Sequence, residues 1–483
     1  MIMKAEREPS FNMETAIRDE TSTGVNANNS AEKIVYDVNY IWKELGIEDV
    51  QKYNHGGYHP VHLLDTLDNR FEVIHKLGSG GFGTVWLCRD LKLQKWRAVK
   101  IIAADRSFGT TEEKIFKHLR ENFTLEELEN NYINIPLEEF FIEGPNGTHR
   151  CQVMSSLGWK VSDWRLGQAS YGEQAYKDIR NICHQITKAL SFLHEHGICH
   201  GDYRPSNILM KLEGIDELNE DQILDLIGEP QVHWVQTVSG NPPKPRAPDY
   251  CVEPSYMNDE CEWFKKLRVK SVAVIDFGES FFIQDPPKGT GIPDLWAAPE
   301  IIFRGSRTLG PPSDIWSLAC TLFEVWTNTP LFYTFHSGLR QTIRKIEYFL
   351  GPLPQRYRRI YDKILRGESL DEDAQDQAEE VESEASETLD DQAAERDEFI
   401  KMTGFSDIFE AELGQKRERR RDGKVINLTY NPSEAVELAD LLRNMLKYDP
   451  DERIKMDQVV SHPWVKDGRT EPTHTTHGGA VDN

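Results

Sequence analysis

The run His200-Gly201-Asp202-Tyr203-Arg204-Pro205-Ser206-Asn207 sets a carboxylate, a cation and a carboxamide a few residues apart. That spacing suits phosphoryl transfer. Asp202 could accept the proton of an attacking hydroxyl, Arg204 could neutralise charge on the moving phosphoryl group, and Asn207 offers a hard oxygen to Mg²⁺. A second hard-oxygen ligand, Asp276, opens Asp276-Phe277-Gly278 behind the apolar run Val272 to Ile275. A plain polar turn between a helix and a strand would account for Pro205 and Asn207, but not for the distant acidic triplet.

Upstream, Gly78-Ser79-Gly80-Gly81-Phe82-Gly83-Thr84-Val85 is followed by Ala98-Val99-Lys100. Gly78, Gly80 and Gly83 would let a strand turn close over a polyphosphate. Because strand patterns flank the glycines on both sides, a dinucleotide fold, which needs a helix after the loop, fits less well. Lys100 would reach the α- and β-phosphates, held by a glutamate on the next helix. Glu112 is the first candidate, with Ile115, Phe116 and Leu119 then facing the core; Glu113 is the alternative. Leu77, Val85, Ala98, Met154 and Leu209 are expected to line an adenine pocket, with Ser155 and Leu157 offering backbone groups to the ring; Met154 reads equally well as a core methionine. Ala298-Pro299-Glu300 suggests a segment end whose glutamate, if buried, needs a cation, for which Arg453 is the candidate. Asp314 is expected to accept backbone N–H groups near His200.

Elements that could position these groups are legible in the hydrophobic pattern. Phe71–Leu77, Thr84–Arg89, Trp96–Ile102, Ile133–Ile142 and Arg150–Met154 read as strands, and 112–121 as a helix. Apolar residues at spacings of three and four predict a helix over 176–196, stopped by Gly197. Asp314–Thr327 predicts a buried helix, and 434–447 and 456–462 two more. Ile34–Asp49 predicts a short amphipathic helix. The expected division is an N-terminal extension over 1–57, partly disordered, a β-rich lobe over 58–156, a helical lobe over 157–467 with insertions near 211–270 and 368–398, and a disordered tail over 468–483. The first insertion, with its Pro-rich run 241–248, is expected to be an irregular surface excursion.

These motifs, in this order, resemble those of a eukaryotic protein kinase from about Tyr58 to Val465. Within that superfamily the chain is most similar to the SR-protein kinases and their fungal relatives, on Gly56-Gly57-Tyr58-His59-Pro60-Val61, Arg70 to Gly78, Thr84-Val85-Trp86-Leu87, and the spacer between Asn207 and Asp276. The resemblance implies an α+β, two-lobed protein-kinase-like fold, with a small β-rich N-lobe carrying one main helix and a larger α-helical C-lobe. It also implies ATP- and Mg²⁺-dependent phosphorylation of serine in Arg/Ser-rich proteins. Three positions depart from the family pattern. Arg204 replaces lysine, and a guanidinium is not interchangeable with an ammonium. Ala297 replaces the arginine common before Ala-Pro-Glu in this group. Gly201 replaces an arginine that would bind an activation-segment phosphate, so activity independent of such a phosphate is expected. Two other readings fit the same residues: a pseudokinase scaffold, which Arg204 leaves open, and a small-molecule phosphotransferase of the aminoglycoside or choline kinase type, which shares His200-Gly201-Asp202 and Asn207.

Composition bounds the partners. Asp and Glu number 80 against 56 Lys and Arg, a formal charge of −24, which argues against nucleic acid or anionic membranes and mildly for a basic protein substrate. The acidic stretch 368–398 could attract Arg-rich substrates, or be no more than solvated chain or helix. The basic run 416–421 could be a nuclear import signal, a partner of the acidic stretch, or an exposed helix. Seven cysteines without Cys-x-x-Cys spacing predict reduced thiols and no zinc site. With no secretory signal and no apolar stretch of spanning length, a cytoplasmic or nuclear monomer is expected.

Overall fold

The computed structural model describes residues 35–37, 41–167, 172–258, 261–303, 309–335, 338–366, 385–415, 417–421, 424–428 and 432–466. Alternating apolar residues pair six strands into one antiparallel sheet: β1 (Thr66–Leu67), β2 (Phe71–Gly80), β3 (Gly83–Asp90), β4 (Lys95–Ile102), β5 (Glu138–Gly144) and β6 (Gly147–Ser155), in the order β1-β2-β3-β4-β6-β5. One face buries Phe71, Val73, Trp86, Val99, Ile101 and Val153 together. Strand β5 starts five residues later than its apolar pattern suggested. Pro136 has no N–H to give a ladder, and Ile133 instead bridges to Val274. Helix α1 (Thr111–Asn122) begins where the Thr110 hydroxyl accepts the Glu113 N–H, and it buries Glu112, Ile115, Phe116 and Leu119.

Below the sheet, helix α2 (Gly172–Glu195) leads into the catalytic loop. A hairpin of β7 (Ile208–Glu213) and β8 (Arg268–Val274) follows, and an insertion containing α3 (Glu220–Ile227) separates its two strands. Helix α4 (Pro311–Thr327) is buried from Ser313 through Thr327, as its apolar composition requires. Trp316, Trp326 and Trp464 lie in the core it shares with α2.

The insertion carries more structure than its Pro-rich run suggested. Ile223, Leu226 and Ile227 pack against Ile74, Leu87 and Trp96 of the upper sheet. Trp96 donates its indole N–H to Leu218 O and its backbone N–H to Asp216 Oδ1, both at 2.9 Å. Residues of the N-terminal extension join it: Tyr36–Asp37 pairs with Gln236–Thr237, and Trp42, Val50, Tyr53 and Tyr58 share a small core with Val235, Ala247 and Cys251. Among the described residues of the helix expected over 34–49, only Ile41–Glu44 is helical, and Tyr36 and Asp37 are held in strand pairing instead. Within this unit Glu48 and Lys76 form a buried ion pair, and Tyr53 donates to Glu48 at 2.6 Å.

Of the acidic stretch, residues 385–403 form a helix and 367–384 lie outside the described residues, as do 1–34 and the tail from 467. The basic run is a strand, Arg417–Arg421, paired with Lys424–Leu428, and not a helix. All seven cysteines are free thiols. No helix among the described residues is long and apolar enough to cross a membrane.

Candidate active site

The cleft between the upper sheet and the helical lobe gathers the chemistry-bearing residues. Lys100, on β4, lies 2.9 Å from Asp276 Oδ1 and 3.6 Å from Glu112 Oε1. Burial disfavours its charge, but the two carboxylates outweigh burial and raise its pKa above the ordinary lysine value. Glu113 points elsewhere; it is half exposed and pairs with Arg150. Glu112 also accepts from Gln152 Nε2 at 3.2 Å and lies 3.4 Å from Arg150 Nη2. The sequence reading missed Gln152, although it stands directly across the β4–β6 ladder from Lys100.

Asp276 has φ +62°, a left-handed conformation that is uncommon for a non-glycine residue and turns its carboxylate into the cleft. Burial opposes ionisation of Asp276, yet Lys100 holds its carboxyl below the usual range. Phe277 is buried between Phe116 of α1, at 5.5 Å, and His200, at 5.3 Å, so a run of edge-on and tilted aromatic contacts ties α1 to the catalytic loop.

In that loop, Asp202 is held on both oxygens. Arg204 Nε donates to Oδ1 at 2.8 Å, and Asn207 Nδ2 donates to Oδ2 at 2.7 Å and to the Asp202 carbonyl at 2.8 Å. Burial raises the Asp202 pKa, partly offset by Arg204. With its amide nitrogen engaged, Asn207 has Oδ1 left as its group for a cation. Asp314 fixes the loop from below, accepting the His200 N–H at 2.7 Å and the Gly201 N–H at 3.0 Å. Burial opposes its charge, but His194 and these donors keep its carboxyl below the usual range. Glu300 and Arg453 meet in a doubly hydrogen-bonded buried pair at 2.7 Å.

Leu77, Val85, Met154 and Leu209 remain partly exposed on strands facing the cleft, beside buried Ala98, which pairs with Met154 across the ladder. Met154 is thus partly exposed rather than part of the buried core. The linker carrying Ser155 and Leu157 is pinned beneath them, because Gly158 N–H donates to Met210 O and Met210 N–H to Trp159 O, each at 2.8 Å. At Gly78, Gly80 and Gly81 an added Cβ would meet no atom of the chain within 4 Å. The space over the turn is therefore open to a polyphosphate. Gly83 differs: at φ +157° an added Cβ would fall 2.0 Å from Ile101 O, so the chain itself requires glycine there. Phe82, at the turn, reaches down to Gly278, where an added Cβ would lie 2.9 Å from its ring. Partly exposed apolar side chains, a glycine turn with room for a Cβ, a paired lysine and two hard oxygens are groups whose chemistry fits a magnesium–nucleotide complex.

Such a site on such a fold defines a phosphoryl-transfer domain of two lobes. The sequence matches the protein kinase domain over residues 71–225 and 265–465, and the chain belongs to that family. Among curated proteins it is similar to SRSF protein kinase 3 of Homo sapiens, 32% identical over 167 residues, which are 34% of this chain and 29% of that protein. It is also similar to serine/threonine-protein kinase SRPK of Physarum polycephalum, 29% identical over 291 residues, 59% of this chain and 67% of that one. Dual specificity protein kinase CLK2 of Mus musculus is 25% identical over 420 residues, 86% of this chain and 67% of that one. The match thus spans about a third of the length of the first SRSF kinase relatives. A crystal structure of the kinase domain of PF14_0431 shares the fold, with TM-score 0.50 and 20% identity over 84% of this chain and 98% of that one.

Proposed function

We propose that this chain is an ATP- and Mg²⁺-dependent serine/threonine protein kinase acting on basic, Arg/Ser-rich protein substrates. The observation that carries the reading is the joint placement of Lys100 between Asp276 and Glu112, opposite an Asp202 held by Arg204 and Asn207. When bound, ATP·Mg²⁺ supplies the transferable phosphoryl group and the countercharge for it. Asn207 and Asp276 would hold the cation, and Lys100 would hold phosphate oxygens. Leu77, Val85, Ala98, Met154 and Leu209 would enclose the base, with backbone groups of Ser155 and Leu157 at its edge. Asp202 would orient the substrate hydroxyl and accept its proton on a carboxylate oxygen, while the Arg204 guanidinium lies alongside to balance charge.

The substrate class rests on the net charge of −24 and on the SRSF kinase relatives. A monomer working in cytoplasm or nucleus is part of the same reading. The test is transfer of label from γ-labelled ATP to an Arg/Ser-repeat peptide, a generic basic protein and an aminoalcohol, with Asp202→Asn as control. Label on the Arg/Ser peptide that Asp202→Asn abolishes is the expected result. Label on the aminoalcohol alone, or none with intact nucleotide binding, would overturn the reading.

A further inference from the structure

The Arg204 guanidinium does not stand alone beside Asp202. Its Cζ lies 5.7 Å from the centre of the Trp296 ring, within cation–π range. Trp296 is half-buried and fixed on three sides. Its indole N–H donates to Glu324 Oε2 at 3.1 Å, its carbonyl accepts from Ser317 Oγ at 2.9 Å, and its backbone N–H donates to Pro293 O at 3.0 Å. Glu324 and Ser317 belong to helix α4, which is buried from Ser313 through Thr327. A chain of contacts therefore runs from α4 through Trp296 and Arg204 to Asp202.

We propose that Trp296 is a positioning residue for the phosphoryl-transfer site, holding the planar Arg204 guanidinium against Asp202. This rests on the function proposed above and accounts for the arginine found there. A lysine ammonium needs no flat platform, whereas a guanidinium left to rotate would lose the Nε–Asp202 hydrogen bond. The indole face restricts the guanidinium plane, and α4 restricts the indole.

The test pairs kinetics with a readout that needs no activity. Trp296→Leu is expected to lower kcat about tenfold, with the KM for ATP changed less than twofold. Trp296→Phe keeps a ring face and should retain activity within about threefold. In an Arg204→Lys background the Trp296→Leu loss should shrink to about twofold, because the flat cation is gone. In ¹⁵N-labelled protein the Arg204 Nε–H resonance, identified by its absence in Arg204→Lys, should carry a ring-current shift that Trp296→Leu removes and Trp296→Phe keeps. Equal losses from Trp296→Leu in both backgrounds, or a resonance that Trp296→Leu leaves in place, would overturn the inference. A native chain that transfers no label to any acceptor would instead count against the proposed function, with the resonance still reporting the Arg204–Trp296 contact.

Discussion

Removing Arg453 tests how the lower lobe is held, and the expected cost can be worked from its contacts. Its guanidinium is fully buried and donates to both Glu300 oxygens at 2.7 Å, to Pro312 O at 2.8 Å and to Lys447 O at 2.9 Å. Arg453→Met would leave the Glu300 carboxylate buried with the Ser313 hydroxyl, 2.9 Å away, as its remaining partner. Stranding one member of a buried ion pair costs about 3–5 kcal/mol, and the two orphaned carbonyls bring the sum to about 5 kcal/mol. At roughly 2 °C per kcal/mol for a domain of this size, the thermal midpoint should fall by about 10 °C. Circular dichroism melts of Arg453→Met and of the double variant Glu300→Gln/Arg453→Met provide the assay. The double variant has no stranded charge and should recover about 2 kcal/mol. A single variant that loses under about 1 kcal/mol, or a double variant that is the weaker of the two, would refute the reasoning.

Gly201 sits at φ +77°, where an added Cβ would fall 2.2 Å from Glu279 O. Gly201→Ala should therefore cost about 2–3 kcal/mol in denaturant titration and displace Asp202, cutting turnover more than nucleotide affinity. Phosphatase treatment should leave activity unchanged. Glu279 Oε2 accepts the Gly291 N–H at 2.6 Å, a contact within the segment that needs no phosphate; activity lost on treatment would refute the expectation. Burial, with His149 as a smaller cause, lowers the pKa of His59 to about 4. The unfolded chain then takes up this proton near pH 6.5 while the native one resists it. Stability should fall as pH drops from about 6.5 to 4, by on the order of 3 kcal/mol, and His59→Phe should flatten that part of the stability curve.

Chemistry written in short runs was legible from sequence because local spacing determines it. Asp202, Arg204 and Asn207 share one turn, so their mutual hydrogen bonds need only that turn to form. Glu112 was separable from Glu113 by helical phase, since only Glu112 shares a face with Ile115, Phe116 and Leu119. Contacts between distant segments were hidden. Nothing local in Tyr36 announces Thr237, and nothing in Trp96 announces Asp216 and Leu218. The strand over Arg417–Arg421 has a local signal in the sequence, the Asp422-Gly423 pair ahead of Val425, but an unbroken run of charge carries no period that separates a strand from the exposed helix that was one of three expectations there.

The departures from the family pattern at Gly201, Arg204 and Ala297 read in sequence as three separate losses. In space, two of them lie within one constrained region. Gly201 admits the Glu279 carbonyl where a side chain would stand, and Glu279 then reaches Gly291 to fold the segment back. That segment continues to Trp296, whose ring faces Arg204. A glycine that removes a cation from the loop thus also allows the close approach of the segment that supplies Arg204 with its platform. The third site is small for a related reason. Ala297 is almost fully buried behind Trp296, with its N–H donating to Pro293 O at 3.1 Å, and a long cation there would need to leave that pocket. A long side chain restored at Gly201 or at Ala297 alone should therefore cost activity, because each position lacks the space for it and the displaced segment carries Trp296.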